Sequence, residues 1–266
     1  MRWGREMSQA QLEPVVAPRP RDAAAPEAGR LSSYERSLGR SRESLMRKDR
    51  PRVFTMFGHE WDLFPEVFAP VYSPSTQVAV DFLDLARPGA HDGGSFLEMG
   101  CGTGLVAAMA VFAGYDRVVA SDINRMAVAN AAANAERHGL GDRLRAVHSD
   151  LFAGLEPGER FDVVFWSSNY VLAPADYSYR SPHEQAYVDP GYRTHRRYLT
   201  EAPLRVTPTG SALLHFSDRG DVPALYRIAD ECGRELRLVA AHRVRECEYG
   251  DDMVEHLLFE IVPRTA

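Results

Sequence analysis

Glu98 followed by Gly100, Gly102 and Gly104 sets a carboxylate ahead of three glycines at alternate positions. They stand in Phe-Leu-Glu-Met-Gly-Cys-Gly-Thr-Gly-Leu (96–105), where an apolar run breaks into a loop and an alanine-rich stretch follows. Glycine has no Cβ, so such a loop turns tightly and lets the backbone lie beside a ligand. The dinucleotide pattern G-x-G-x-x-G fails in register, because the third glycine falls due at position 105, which is Leu. What remains is E-x-G-x-G-x-G. A second carboxylate, Asp122, closes the apolar run Val118-Val119-Ala120-Ser121, and a third, Asp150, stands in Ser149-Asp150-Leu151-Phe152. A carboxylate at the tip of a second strand is where open α/β folds bond ribose hydroxyls, so the ligand implied is nucleotide-like.

The elements that must hold these groups alternate in type. The pattern predicts strands at 95–99, 117–121, 144–148, 161–166, 211–216, 236–244 and 254–262, with helices at 77–86, 105–113, 125–138, 192–205 and 221–233. Alternating β and α units give a parallel sheet covered on both faces. Tyr249-Gly250-Asp251-Asp252 is a turn signal that makes the last two strands an antiparallel hairpin. Asn124 is the natural N-cap of the helix beginning at Arg125. Three regions follow: a proline-bearing tail at 1–29 expected to be disordered, a helical and aromatic extension at 30–90, and the ligand-binding domain at 91–266. In the extension, Ser32-Ser33-Tyr34-Glu35 is a capping box, and Leu31, Tyr34, Leu38, Leu45 and Met46 fall on one helical face. That stripe is expected to bury itself as a lid over the cleft or, in the competing use, in a homodimer interface.

The glycine motif resembles the first motif of class I S-adenosylmethionine (SAM) methyltransferases. The strand order implied, mostly parallel with a terminal hairpin, is similar to their Rossmann-like fold. Asp122-Ile123-Asn124, Asn134, Ser149-Asp150-Leu151-Phe152 and Phe161-Asp162-Val163-Val164 narrow the likeness to the release-factor glutamine methyltransferases and related small-domain enzymes. The resemblance implies SAM as cofactor. Glu98 then takes the methionine ammonium, Gly100, Cys101, Gly102 and Gly104 form the loop beside it, and Asp122 takes the ribose. Ile123 and Leu151 pack on the adenine, and Asp150 reaches its amino group. That family ends its fourth strand in Asn-Pro-Pro-Tyr, whereas here the strand ends Ser167-Ser168-Asn169-Tyr170 with both prolines missing. Ser167 falls in the register of the family's Asn, at the edge of the cofactor site, and Asn169 recovers part of that Asn's role. The changed tetrad implies a changed acceptor, expected to be a small molecule methylated on N or O.

The connection 171–197 belongs at the sheet edge where ligands bind. It supplies His183 and Glu184 as a candidate general base beside Asn169 and Tyr170, while Arg180 and Arg193 are candidates for a substrate carboxylate. Tyr72 and Ser168 complete the acceptor side, and His215, inside an apolar strand, reads as core. Two other readings stand beside this one: a glutamine methyltransferase acting on a protein or peptide, and a non-catalytic adaptor of the same fold. The formal charge of -6 divides into +5 over 29–52 and -11 elsewhere, which disfavours a long nucleic acid as partner. With three cysteines, Cys101, Cys232 and Cys247, and no C-x-x-C, neither a disulfide nor a metal site is expected. The chain shows no membrane-spanning run and no signal-like N-terminus, so a cytoplasmic protein is expected.

Overall fold

The computed structural model describes residues 33–245 and 253–264, so the tail, Leu31, Ser32, Cys247 and the turn at 249–252 lie outside the described residues. In chain order the elements are α1 (Ser33–Met46), β1 (Val53–Met56), β2 (His59–Asp62), α2 (Ser75–Phe82), β3 (Ser95–Met99), α3 (Leu105–Ala113), β4 (Arg117–Asp122), α4 (Arg125–Arg137), β5 (Leu144–His148) and β6 (Phe161–Ser167). There follow β7 (Leu172–Ala173), β8 (Asp189–Pro190), α5 (Arg193–Glu201), β9 (Val206–Ser217), α6 (Val222–Glu231), β10 (Arg234–Arg245) and β11 (Met253–Pro263). Seven strands form one sheet in the order β10-β11-β9-β6-β3-β4-β5. Within it β9, β6, β3, β4 and β5 run parallel, and β11 enters antiparallel between β9 and β10. The mostly parallel sheet with a terminal antiparallel hairpin is the architecture expected from the alternation of elements.

Every residue of β3 is buried, as a central strand requires. Its neighbours bring Met99 beside Ser121 of β4 and Trp166 of β6, so the three carboxyl ends, and the loops after them, meet at one edge. Against this sheet lies α3, whose Ala107, Ala108 and Ala110 are completely buried and let the helix approach the strands closely. The helix starts at Gly104, in the left-handed region at φ 75°, where a Cβ would stand 2.7 Å from that of Ala131 in α4. Asn124 caps α4 by accepting from the Met126 amide at 2.9 Å.

Three differences from the sequence reading lie in the extension. The aromatic stretch contains a hairpin, β1 against β2, turned at Phe57-Gly58 with φ of 54° and 76°. Asn130 and Asn134 of α4 accept from the Phe64 and Asp62 amides, and Asn134 also donates to the Thr103 carbonyl. One asparagine thus ties the hairpin to the glycine loop. Second, α1 does not dock through an apolar stripe: its buried residues are Ser37, Leu38, Ser41 and Ser44, and Met46 is 80% exposed. Ser37 donates to the Tyr187 carbonyl at 2.9 Å, and Ser41 Oγ lies 2.8 Å from His183 Nδ1. Of the expected stripe, Leu38 joins a small apolar cluster with Val171, Ala173 and Val188, and Tyr34 packs against it; the cluster is separate from the two that flank the sheet. The last predicted helix before the glycine motif also ends early, at Phe82.

Candidate active site

At the carboxyl edge of β3, β4 and β6 opens a cavity of about 1120 Å³. Glu98, Gly100, Cys101, Gly102, Asp122 and Ile123 line one end of it, with Asp150 and Leu151 beside them. Ser167, Ser168, Asn169, Tyr170, Tyr72 and His183 line the other parts, and α1 lies across it as a wall. Most of the side chains singled out in the sequence therefore face one space.

Glu98 is 3% exposed, and Oε2 accepts from the Ala107 amide at 2.8 Å. Burial pushes its carboxyl well above the ordinary range, and the nearby Asp122 adds to the effect. Asp122 accepts from the Gly102 amide at 2.9 Å and from the Asn124 amide at 2.8 Å. Its pKa is also raised by burial, with those two amides working in the opposite direction. Among the described residues no cation is bonded to either of these neighbouring carboxylates, of which Glu98 is buried and Asp122 half-buried. They form an electron-rich end suited to a cationic, hydroxyl-bearing ligand. Gly100, at φ 66°, turns the chain where a Cβ would come 3.3 Å from Trp166 Nε1. Ile123 is 42% exposed beside Asp122, an apolar surface open to a flat ring.

Asn169 is fixed with unusual completeness. Its Nδ2 donates to the carbonyls of Gln185 at 2.9 Å and Val188 at 2.8 Å, while its buried Oδ1 has no hydrogen-bond partner among the described residues. The amide cannot flip without losing both bonds, so Oδ1 is left as an unpaired acceptor within the wall that Asn169 lines. Ser167 Oγ lies 3.0 Å from His215 Nδ1, and His215 Nε2 lies 2.8 Å from His256 Nδ1. This chain of contacts leads from the cavity wall into the interior. Burial depresses both histidines, His256 to about 4, so the pair is neutral near pH 7. His215 is thus a satisfied core residue that also steadies Ser167.

Several expectations need correction. Gly104 does not line the cavity; it is the packing glycine between α3 and α4. Asp150 reaches the wall, but both its oxygens accept from Arg197 Nη1, at 2.9 and 3.0 Å, which draws the carboxylate toward the surface. Glu184 is buried away from the cavity, where it accepts from the Tyr177 hydroxyl at 2.8 Å and the Arg180 amide at 2.7 Å. His183 stands on the wall without it, pushed down to about 4 by burial and by the Arg50 charge. A neutral imidazole so depressed is a weak base. Arg180 and Arg193 are exposed and off the cavity. The arginines on its wall are Arg40, Arg47 and Arg219 among the described residues, none of which was singled out in the sequence. Their helix and loop carried no motif, and only the docking of α1 reveals them.

Residues 96–180 match the model of the methyltransferase domain family. The chain is 30% identical over 147 residues to the ribosomal protein uL3 glutamine methyltransferase of Burkholderia pseudomallei, covering 50% of this chain and 48% of that one. It is 40% identical over 76 residues to the release factor glutamine methyltransferase of Rhodopirellula baltica, covering 28% and 26%. The chain thus spans about half or less of the length of these relatives. Among solved structures, a putative SAM-dependent methyltransferase from Streptococcus mutans superposes with a TM-score of 0.55 at 12% identity, over 80% of this chain and 56% of that one, a likeness of fold. The matched segment holds the glycine motif, and the sheet order agrees with it: residues 96–180 match a methyltransferase domain, set in a fold similar to that of a SAM-dependent methyltransferase.

Proposed function

We propose that the chain transfers a methyl group from SAM to a hydrogen-bearing nitrogen or oxygen of a small molecule. SAM supplies a methyl on a cationic sulfonium, so the protein's task is to hold donor and acceptor in line. Glu98 fits the methionine ammonium, because it is a buried carboxylate whose bonded partner is a neutral amide. Asp122 fits the ribose hydroxyls, with Ile123 and Leu151 against the base. Ser167, Asn169 and Tyr170, at the end of β6, face the acceptor.

One observation carries the acceptor assignment: in Asn169, which lines the cavity, the buried Oδ1 has no partner among the described residues. An acceptor oxygen held in this way selects a ligand N–H or O–H, and it aligns the lone pair of that same atom. Residues of α1 and of the segment 182–187 line the cavity beside Asn169 and narrow the room around it, which supports a compact molecule. The second reading, methylation of a glutamine in a protein, draws on the names of the two relatives and on the same oxygen, which suits an amide N–H equally well. Incubation with methyl-labelled SAM and a bacterial lysate split by a small-molecule ultrafiltration membrane separates them. Label in the small fraction supports the first reading, label in protein supports the second, and no SAM binding by calorimetry removes both.

A further inference from the structure

The wall that α1 turns to the cavity is cationic. Arg40 and Arg47 lie two helical turns apart on one face, and both line the cavity together with Glu43. Behind them stands Arg50, half-buried. It donates to the carbonyls of Ser44, Phe64 and Val67 and to the Ser44 hydroxyl, all neutral oxygens. Its charge bears on Tyr72, Tyr187 and His183, three side chains of the same wall. Arg47 stacks over the Tyr72 ring with Cζ 4.6 Å from its centroid, and the buried Tyr72 hydroxyl lacks a well-formed hydrogen bond. Asp49, exposed, accepts from Arg47 Nε at 3.0 Å and Nη2 at 2.8 Å, so a ligand would bind the remaining face of that guanidinium. A sunken guanidinium bonded to neutral oxygens and two more at the cavity surface, beside Glu43, make a corner rich in cationic donors that an anion could share.

The corner is joined to the acceptor end. Arg40 donates to Ser37 Oγ at 3.3 Å, Ser37 to the Tyr187 carbonyl, and the next carbonyl in the chain, that of Val188, holds Asn169. We propose that this corner binds a compact anionic group, a carboxylate or phosphate, carried by the methyl acceptor, so that the acceptor is an acidic molecule anchored at α1 and presented at Asn169. The inference rests on the methyltransferase reading. The same chemistry has a second source in the methionine carboxylate of the cofactor.

Calorimetry separates the sources. Its ligands are S-adenosylhomocysteine, 5′-methylthioadenosine, which lacks the amino acid, and inorganic phosphate added to protein saturated with S-adenosylhomocysteine. The wild type is compared with the double variant Arg40→Gln/Arg47→Gln, and with Arg40→Lys/Arg47→Lys to keep charge; thermal melts confirm that each is folded. Phosphate should bind the saturated wild type, about tenfold more weakly in the glutamine variant and near normally in the lysine variant. Both nucleosides should bind all three proteins alike. A loss of S-adenosylhomocysteine affinity with 5′-methylthioadenosine unchanged would give the corner to the cofactor and overturn the acceptor assignment. Equal phosphate binding by wild type and glutamine variant, or none by either, overturns the anion site itself. Absence of any nucleoside binding by the wild type sinks the methyltransferase reading, and this inference with it.

Discussion

Glu98→Gln should make the unliganded protein more stable and the cofactor site weaker at the same time. The carboxyl is fully enclosed, bonded to the Ala107 amide, and raised well above its ordinary value by burial. Glutamine keeps the size and one oxygen to accept from that amide. The sign follows from linkage: a carboxyl raised in the folded state binds more protons there than in the unfolded chain. Wild-type stability therefore falls as pH rises from about 4.5 toward the folded pKa, by roughly 1.4 kcal/mol for each pH unit between the two. Glutamine removes that slope. For a domain of this size each kcal/mol moves the midpoint by about 2–4 °C. The variant should therefore gain some 3–6 °C over wild type for each pH unit climbed within that window, with little difference near pH 4.5. The proposed charge-assisted bond to the methionine ammonium contributes roughly 1.5–3 kcal/mol, so S-adenosylhomocysteine should bind about 10–100-fold more weakly. Thermal melts from about pH 4.5 to 8, with and without ligand, test both halves. A variant that melts below wild type throughout, with the same pH slope, refutes the reasoning about the buried charge. Unchanged ligand affinity refutes the ammonium assignment.

Asn169→Ala should depress turnover by about tenfold or more while S-adenosylhomocysteine affinity stays within about twofold, since the side chain bonds protein carbonyls and faces the acceptor; equal loss of nucleoside affinity would place it in the cofactor site. Gly104→Ala sets a Cβ 2.7 Å from that of Ala131 in a left-handed conformation, so a loss of about 2–4 kcal/mol and of nucleoside binding is expected in urea melts and calorimetry. Ser37→Ala with Ser41→Ala removes the bonds to Tyr187 and His183, at about 1 kcal/mol each. Faster amide exchange should then appear at 183–188 with β3 and β4 unchanged; global loosening would contradict a locally held wall. Asp189→Asn disrupts a buried carboxylate that accepts from the His195 amide at 3.0 Å and from its Nδ1 at 2.7 Å. Asp189 is held below its ordinary pKa by the His195 bonds. Its contribution is present above about pH 3.8 and lost as pH falls through the folded value, so the variant should melt about 5–10 °C lower at pH 7 and approach wild type in acid.

The glycine-loop end of the cavity was legible because its geometry is local. The carboxylate and glycines of 98–102 and Asp122 at a strand tip fall within a few residues of the elements that aim them, so periodicity places them directly. Asp150 shows the limit: its position was readable, but its capture by Arg197, from a helix 47 residues away, depends on how α5 packs. Arg180, Arg193 and Glu184 failed for the same reason, since a loop without period does not declare which way its side chains face. Helix α1 misled more instructively. Its Leu and Tyr residues gave an apparent stripe, yet the surface it meets is a row of carbonyls and a histidine, and serines satisfy such a surface where leucines cannot. The arginines of the cavity were hidden by that misplacement.

The manner in which α1 is attached bears on how such a chain changes its acceptor. The glycine loop, Asp122 and the sheet beneath them adjoin the two larger cores, whereas α1 meets the body through three serines and through Leu38 and Tyr34 at a separate cluster of four buried apolar residues that includes Leu38. Substitutions along its cavity face therefore carry little burden of refolding the sheet, and the wall is free to vary in charge and shape while the methyl donor's seat stays constant. Under the proposed function, selection or an engineer can redraw what the site accepts one helical turn at a time.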